Sequence, residues 1–263
     1  MTSVPCRVCG AASPFFAQAR LRSRFDVAYF LCPQCGFLQT EVPHWLEEAY
    51  RDPINRSDIG LLQRNLVLSR TVDLVLRAWF PRFGRYLDWG GGYGVFVRLM
   101  RDLGHDFRMY DPYTTCLFAR GFEMKTPEGR FALVTAFEVF EHWADPMANL
   151  AEIFRHTDHL LFTTELVPTP VPAPEAWWYF GLDHGQHVGF IARRTLDAIA
   201  GKFGMHACSN GRGLHLLSRK PVAPPVFDLL TRPWVYVLAS LLLPRHSLQA
   251  RDYEAATRGG GGA

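Results

Sequence analysis

A chain of 263 residues has room for one α/β domain with a full core and small additions. Apolar residues make up 48% and charged residues 20%, a soluble globular balance rather than a disordered or fibrous one. The net charge of +3 is too small to imply a nucleic-acid partner by itself, although Arg7, Arg20, Arg22 and Arg24 cluster early enough for a local basic patch.

The opening "MTSVPCRVCG" lacks the charged and apolar regions of a signal peptide, so a cytoplasmic chain is expected. Cys6, Cys9, Cys32 and Cys35 form CxxC…CxxC with 22 residues between the pairs. Without a secretory leader, that pattern favours metal over disulfides. Each pair can place two thiolates about 2.3 Å from one zinc, and four thiolates leave no open position, so the zinc would be structural. Residues 1–40 therefore read as a zinc-ribbon module, with "FDVAYFLC" as a strand entering the second knuckle.

Residues 41–84 read as a helical connector, because Leu68, Val72, Val75, Leu76 and Trp79 recur at helical spacing before Pro81 and Gly84. The pattern then alternates. "RYLDWG" is a strand, "YGVFVRLMRDLG" a helix and "DFRMYD" a second strand. "RFALVTAFE" is a strand, "DPMANLAEIFRHT" a helix and "HLLFTTEL" a strand. Such alternation predicts an α/β fold with a mainly parallel sheet over residues 85–220. Residues 168–190 interrupt it as a lid insertion, with "PTPVPAP" followed by dense aromatics and histidines. "RRTLDAIAGKFG" returns to helix, and "MHACSNGRGLHLLSR" predicts a hairpin around "NGRG". In residues 221–263, the apolar window "VFDLLTRPWVYVLASLLLP" is broken by Asp228, Arg232 and Pro233. It is too short to span a bilayer and predicts a buried or surface-docked helix. "RGGGGA" predicts a disordered tail.

The stretch "YLDWGGGYGVF" places a glycine turn between a strand and a helix. There the backbone amides of a helix N-terminus meet a ligand and glycines let it approach. The glycines run D-x-G-x-G-x-G from Asp88 through Gly90, Gly92 and Gly94, with Gly91 between them. This is neither the dinucleotide G-x-G-x-x-G nor a P-loop.

That spacing resembles motif I of the class I S-adenosylmethionine-dependent methyltransferases. The resemblance implies a Rossmann-like fold with a seven-stranded sheet ending in an antiparallel hairpin. It implies that Gly90, Gly91, Gly92 and Gly94 carry the methionine part of the cofactor and that Asp88 orders the loop. Asp111, ending "FRMYD", would accept the ribose hydroxyls. "LVTAFEVFEHWADP" resembles the fourth-strand segment of small-molecule methyltransferases, which implies Glu138 on the cofactor side and Glu141 and His142 near the acceptor. Glu123 and Glu128 are candidates for the adenine contact. "DHGQHVGF" resembles a segment of sugar-modifying methyltransferases and implies His187 as the base, His184 as second choice and Gln186 as the amide that orients His187. Trp177, Trp178 and Tyr179 would stack on a sugar or cover the sheet, and Tyr50, Arg64 or Asn65 would reach the cleft from the connector.

Zinc module, connector and core together resemble the nucleotide-sugar C-methyltransferase group. The acceptor expected on that basis is a sugar or saccharide precursor. An RNA base is the alternative acceptor, and a non-catalytic cofactor-binding scaffold is the alternative of another class. The sequence is silent on oligomeric state.

Overall fold

The computed structural model describes residues 2–51, 53–54, 58–81, 83–240, 243 and 246–258. Of the tail expected to be disordered, Arg258 ends a helix and residues 259–263 lie outside the described residues.

The N-terminal strands are β1 (Ser3–Pro5), β2 (Ala12–Leu21), β3 (Phe25–Leu31) and β4 (Leu38–Thr40). They pair in sequence as an antiparallel meander. One turn of helix, α1 (Leu46–Ala49), and one long helix, α2 (Leu61–Trp79), follow. The connector is thus helical in two pieces rather than throughout. The apolar stripe of α2 buries Leu68, Val72, Val75 and Leu76 against the central sheet.

The central sheet has six strands among the described residues, not seven. They are β5 (Arg85–Trp89), β6 (Asp106–Tyr110), β7 (Leu133–Phe137), β8 (His159–Thr163), β10 (His206–Ser209) and β11 (Leu214–Ser218), in the order β10-β11-β8-β7-β5-β6. Strands β5 to β8 are parallel, and β11 returns antiparallel through the "NGRG" hairpin. The seventh strand is reduced to an isolated parallel bridge between Met109 and Glu123. "GFEMKTPEGRF" is too rich in turn residues to extend it.

Helix α3 (Val95–Asp102) joins β5 to β6, α4 (Pro146–His156) joins β7 to β8, and α5 (Arg193–Phe203) leads to β10. From β5 the chain moves outward to β6 and then back across to β7. The switch point therefore lies between β5 and β7, and open α/β sheets bind ligands at the carboxyl ends there.

A short strand, β9 (Gly189–Phe190), closes residues 168–190. It pairs with β4 and so joins the N-terminal sheet. Tyr29, Leu38, Trp45, Tyr179, Phe180 and Phe190 share one buried cluster. The second cysteine knuckle packs on the start of α5. The Thr195 hydroxyl accepts from the Ala192 amide at 2.9 Å and donates to the Cys35 carbonyl at 2.8 Å.

The late apolar window forms two short helices, α6 (Pro224–Leu230) and α7 (Pro233–Ala239), instead of one. Pro233 cannot continue the helix that ends before it. Among the described residues, no helix is long and apolar enough to cross a membrane. A last helix, α8 (Gln249–Arg258), docks by charge: Asp252 accepts from Arg101 at 2.7 and 2.8 Å and pairs with Arg98 at 3.0 Å. Arg101 is 1% exposed and also stacks on Phe122 at 3.6 Å.

Burial alone would raise the Asp252 carboxyl, but the two arginines hold it below the usual carboxylate range. Its folded value is depressed, so its contribution is present above the ordinary carboxylate range and lost as pH falls through the lowered value. Asp252→Ala leaves a buried guanidinium short of its carboxylate and should cost about 3 kcal/mol in urea unfolding at neutral pH. The difference from the parent should shrink on acidification.

Candidate active site

A cleft of about 1210 Å³ opens at the carboxyl ends of β5, β6 and β7. One small ligand needs roughly 300–1,000 Å³, so the volume leaves room for a cofactor and a second molecule. Its floor is the glycine turn. Gly90, Gly92 and Gly94 have φ of +73°, +55° and +82°, and Gly94 opens α3. A Cβ at Gly90 would lie 2.7 Å from Val139, and one at Gly94 would lie 2.8 Å from the Cys116 sulfur. At Gly92 it would meet only Ile54, at 3.7 Å, so that residue presents bare backbone to the cleft.

Two acids hold the turn. Asp88 is 3% exposed and accepts from the Thr135 hydroxyl at 2.6 Å. Burial pushes its carboxyl up to about 7, against the pull of that hydroxyl. Asp111 accepts from the Gly92 amide at 2.9 Å with one oxygen, and from the Tyr113 and Thr114 amides at 2.8 and 2.9 Å with the other. It ties the end of β6 to the glycine turn and still lines the cleft.

Glu138 ends β7 in a left-handed conformation, φ +54°, with its amide donating to the Thr163 hydroxyl at 2.9 Å. A non-glycine residue held there stores strain, which clusters at functional positions. Its side chain lines the cleft. Glu123 and Glu128, considered for the adenine side, are not among the residues that line it.

The rear wall is built from Glu141, His142 and His187. Phe140–His142 forms a 3-10 turn, and the Glu141 carbonyl accepts from the Val188 amide at 2.8 Å. That bond brings the turn to residues 168–190. The His142 and His187 rings meet at 5.0 Å, edge to face. His187 Nδ1 donates to the Tyr179 carbonyl at 2.6 Å, which leaves Nε2 with its lone pair. Burial, then His184, push this imidazole down to about 3, so it is neutral at neutral pH. His184 packs behind it at 4.7 Å and is not among the cleft-lining residues. Gln186 donates its amide to the Ala49 carbonyl at 3.0 Å, and the Tyr179 carbonyl is what orients His187.

Glu141 is fully buried. Burial, then the neighbouring Glu138, push its carboxyl up to about 8. The Thr164 and Tyr179 hydroxyls temper that rise, but they bond each other at 2.9 Å and neither completes a hydrogen bond to it.

The open side carries Tyr50, Arg64 and Asn65 from the connector, as the sequence suggested. Trp178 lines it at 75% exposure and the buried Tyr179 also borders it, whereas Trp177 packs on the aromatic core. Tyr113, which the sequence did not single out, stacks on Tyr50 at 5.0 Å. Tyr113 follows a stretch without periodicity, so no pattern marks it.

In the N-terminal sheet the four cysteine sulfurs lie within 4.8 Å of one another, with Cys6 to Cys35 at 3.6 Å and Cys9 to Cys32 at 3.4 Å. None is disulfide-bonded. The Val8 and Cys9 amides point at the Cys6 sulfur and the Cys35 amide at the Cys32 sulfur. The donor set is compatible with one tetrahedral zinc. The early arginines form no free basic patch. Arg20 pairs with Asp26 and Arg24 with Glu48, and Arg7 donates to the Thr40, Glu41 and Val188 carbonyls.

Gly94→Ala forces a side chain into a left-handed turn against Cys116. It should lower stability by about 2 kcal/mol, read as a shift of the urea midpoint.

The model of a family described as a methyltransferase domain matches residues 62–208, more than half of the chain. No curated protein matches the chain. Among solved structures, CalO1, a methyltransferase in calicheamicin biosynthesis, is 16% identical with a TM-score of 0.42 and covers 58% of this chain. Human N-acetylserotonin methyltransferase is 15% identical with a TM-score of 0.45 over 67% of it. Magnesium protoporphyrin IX methyltransferase from Synechocystis PCC 6803 is 15% identical with a TM-score of 0.46 over 66% of it, and 94% of its own length is covered. The chain spans about half the length of the CalO1 structure, 54%, and 66% of the human enzyme. By the match over residues 62–208, the chain belongs to the methyltransferase-domain family, the class I S-adenosylmethionine-dependent methyltransferases.

Proposed function

We propose that the protein transfers a methyl group from S-adenosylmethionine to a small polar acceptor, a sugar or saccharide precursor such as a nucleotide sugar. The observation that carries this reading is the bare glycine turn with Asp111 across it, opening into a cleft larger than one ligand needs. Gly90, Gly91, Gly92, Gly94 and Asp88 would hold the methionine part, Asp111 the ribose, and Glu138 the flank nearest the methyl. When bound, S-adenosylmethionine supplies an activated methyl carbon. The chain's own work is to align the acceptor in line with it and to handle the acceptor's proton.

His187 is the group assigned to take that proton at Nε2. Its Nδ1 hydrogen is committed to the Tyr179 carbonyl, and His142 stands beside it at the cleft wall. His184 would support His187 from behind. Trp178, exposed beside the cleft, offers a flat apolar face for a sugar ring. The ion-paired early arginines favour a small acceptor over RNA, which would need a free basic stripe. Residues 168–190 would serve as the lid. Residues 1–40 would hold one structural zinc at Cys6, Cys9, Cys32 and Cys35.

Calorimetry should show S-adenosylmethionine and S-adenosylhomocysteine binding at about micromolar strength, with NADH inert. Asp111→Ala should weaken both at least about tenfold, because a carboxylate that positions two hydroxyls is lost. No binding, or a preference for NADH, would overturn the reading. Once an acceptor is found, His187→Ala should keep cofactor binding and lose turnover. Loss of the fold in that variant, seen by circular dichroism, would assign His187 to packing.

Elemental analysis should return one zinc per chain from the cysteine cluster. Cys9→Ser combined with Cys32→Ser should release it and lower thermal stability, since four thiolates at one ion contribute folding energy.

A further inference from the structure

We infer that Glu141, His142 and His187 form a second metal site, one that takes a divalent transition-metal cation at the rear of the cleft. One ligand atom from each of these residues lies within 4.8 Å of the other two. The set is two imidazoles and one carboxylate, a donor combination that suits zinc, iron, cobalt or manganese and leaves coordination positions open.

Three further observations point to a ligand there. Both Glu141 oxygens are buried and have no hydrogen-bond partner, and His142 Nδ1 is buried and unpartnered too. Buried polar atoms are nearly always satisfied, so three orphans in one spot call for a missing partner. A water could serve one of them, but a cation held by the carboxylate would answer both Glu141 oxygens with one object. The His187 ring is set as metal-bound imidazoles usually are: Nδ1 donates to a backbone carbonyl, and Nε2 carries the free lone pair. The site is also rigid. The Val188 amide ties Glu141 to the lid, and Tyr179 fixes His187.

Access and remaining valence follow from exposure. His142 and His187 line the cleft while Glu141 lies fully behind them, so the open positions face the acceptor space. The chemistry differs from that of the cysteine cluster, whose four sulfurs close a tetrahedron. The consequence for catalysis rests on the proposed methyl transfer; the site itself does not. A cation here would bind an acceptor oxygen and lower the pKa of its hydroxyl. The hydroxyl proton then leaves to water, the oxygen bonds to the methyl carbon, and the carbon–sulfur bond breaks with its electron pair on sulfur. The products are the methyl ether and S-adenosylhomocysteine. His187 then acts as a ligand, and acidification by the cation replaces proton transfer to the imidazole.

The test titrates cobalt(II) alone into full-length protein whose cysteine cluster is filled with zinc. One further equivalent of cobalt should bind, with visible bands and without the sulfur-to-metal charge transfer of a thiolate site. Glu141→Gln, which keeps the shape, and His142→Gln should each weaken that cobalt at least about tenfold, with circular dichroism unchanged. S-adenosylmethionine affinity, measured on the same samples, separates this inference from the methyl-transfer reading. Cobalt bound without cofactor binding would remove methyl transfer and keep the site. Cofactor bound with no second cobalt, or with cobalt binding equal in both variants and the parent, would overturn the site and leave His187 as the base.

Discussion

The hydrogen bond from the Val188 amide to the Glu141 carbonyl, 2.8 Å long, is the contact on which the cleft depends. On one side of it stands the 3-10 turn after β7. On the other stands Val188, whose next residues pair with β4 as a fifth strand of the N-terminal sheet. The Val188 carbonyl in turn accepts from the Thr40 amide at 3.1 Å and from Arg7. The backbone of one residue, Val188, thus joins three pieces of chain far apart in sequence. The rear wall of the cleft exists only because that junction holds.

This gives the cysteine cluster a place in the economy of the molecule. Its knuckles lie in the loops that lead into β2 and β4, and β4 pairs with β9. The second knuckle also rests on α5 through Thr195. Stabilising the cluster therefore stabilises His187 at a distance, through backbone pairing rather than through a chain of side chains.

The sheet and its glycine turn were legible because they are written in local patterns: apolar runs for β5, β7 and β8, a 3.6-residue stripe for α2, and glycines where φ must be positive. Asp111 was legible because it ends a strand in register with that turn. The seventh strand was not, because Gly121 to Arg130 lacks the apolar residues to extend beyond one bridge. The partner of His187 was missed for a different reason. The sequence offered Gln186 next to it, but successive residues in extended chain point to opposite sides, and the Tyr179 backbone carbonyl does the orienting. Backbone acceptors leave no mark in side-chain identity. The early arginines misled in the opposite direction, since a count of charges cannot show that Asp26 and Glu48 stand within reach.

The docking of α8 has a consequence for the order in which the molecule can be completed. Arg101 sits beneath β6 in the middle of the chain's first βαβ unit, yet its best carboxylate arrives 151 residues later. A ribosome will have released every strand of the central sheet well before Asp252 emerges. Until then the guanidinium has Asp106, the Phe107 carbonyl and the Phe122 ring beside it, but not its buried carboxylate. The early half of the domain therefore waits in a looser state for its final helix, and a polypeptide cut short before that helix would display the defect at α3, far from the break.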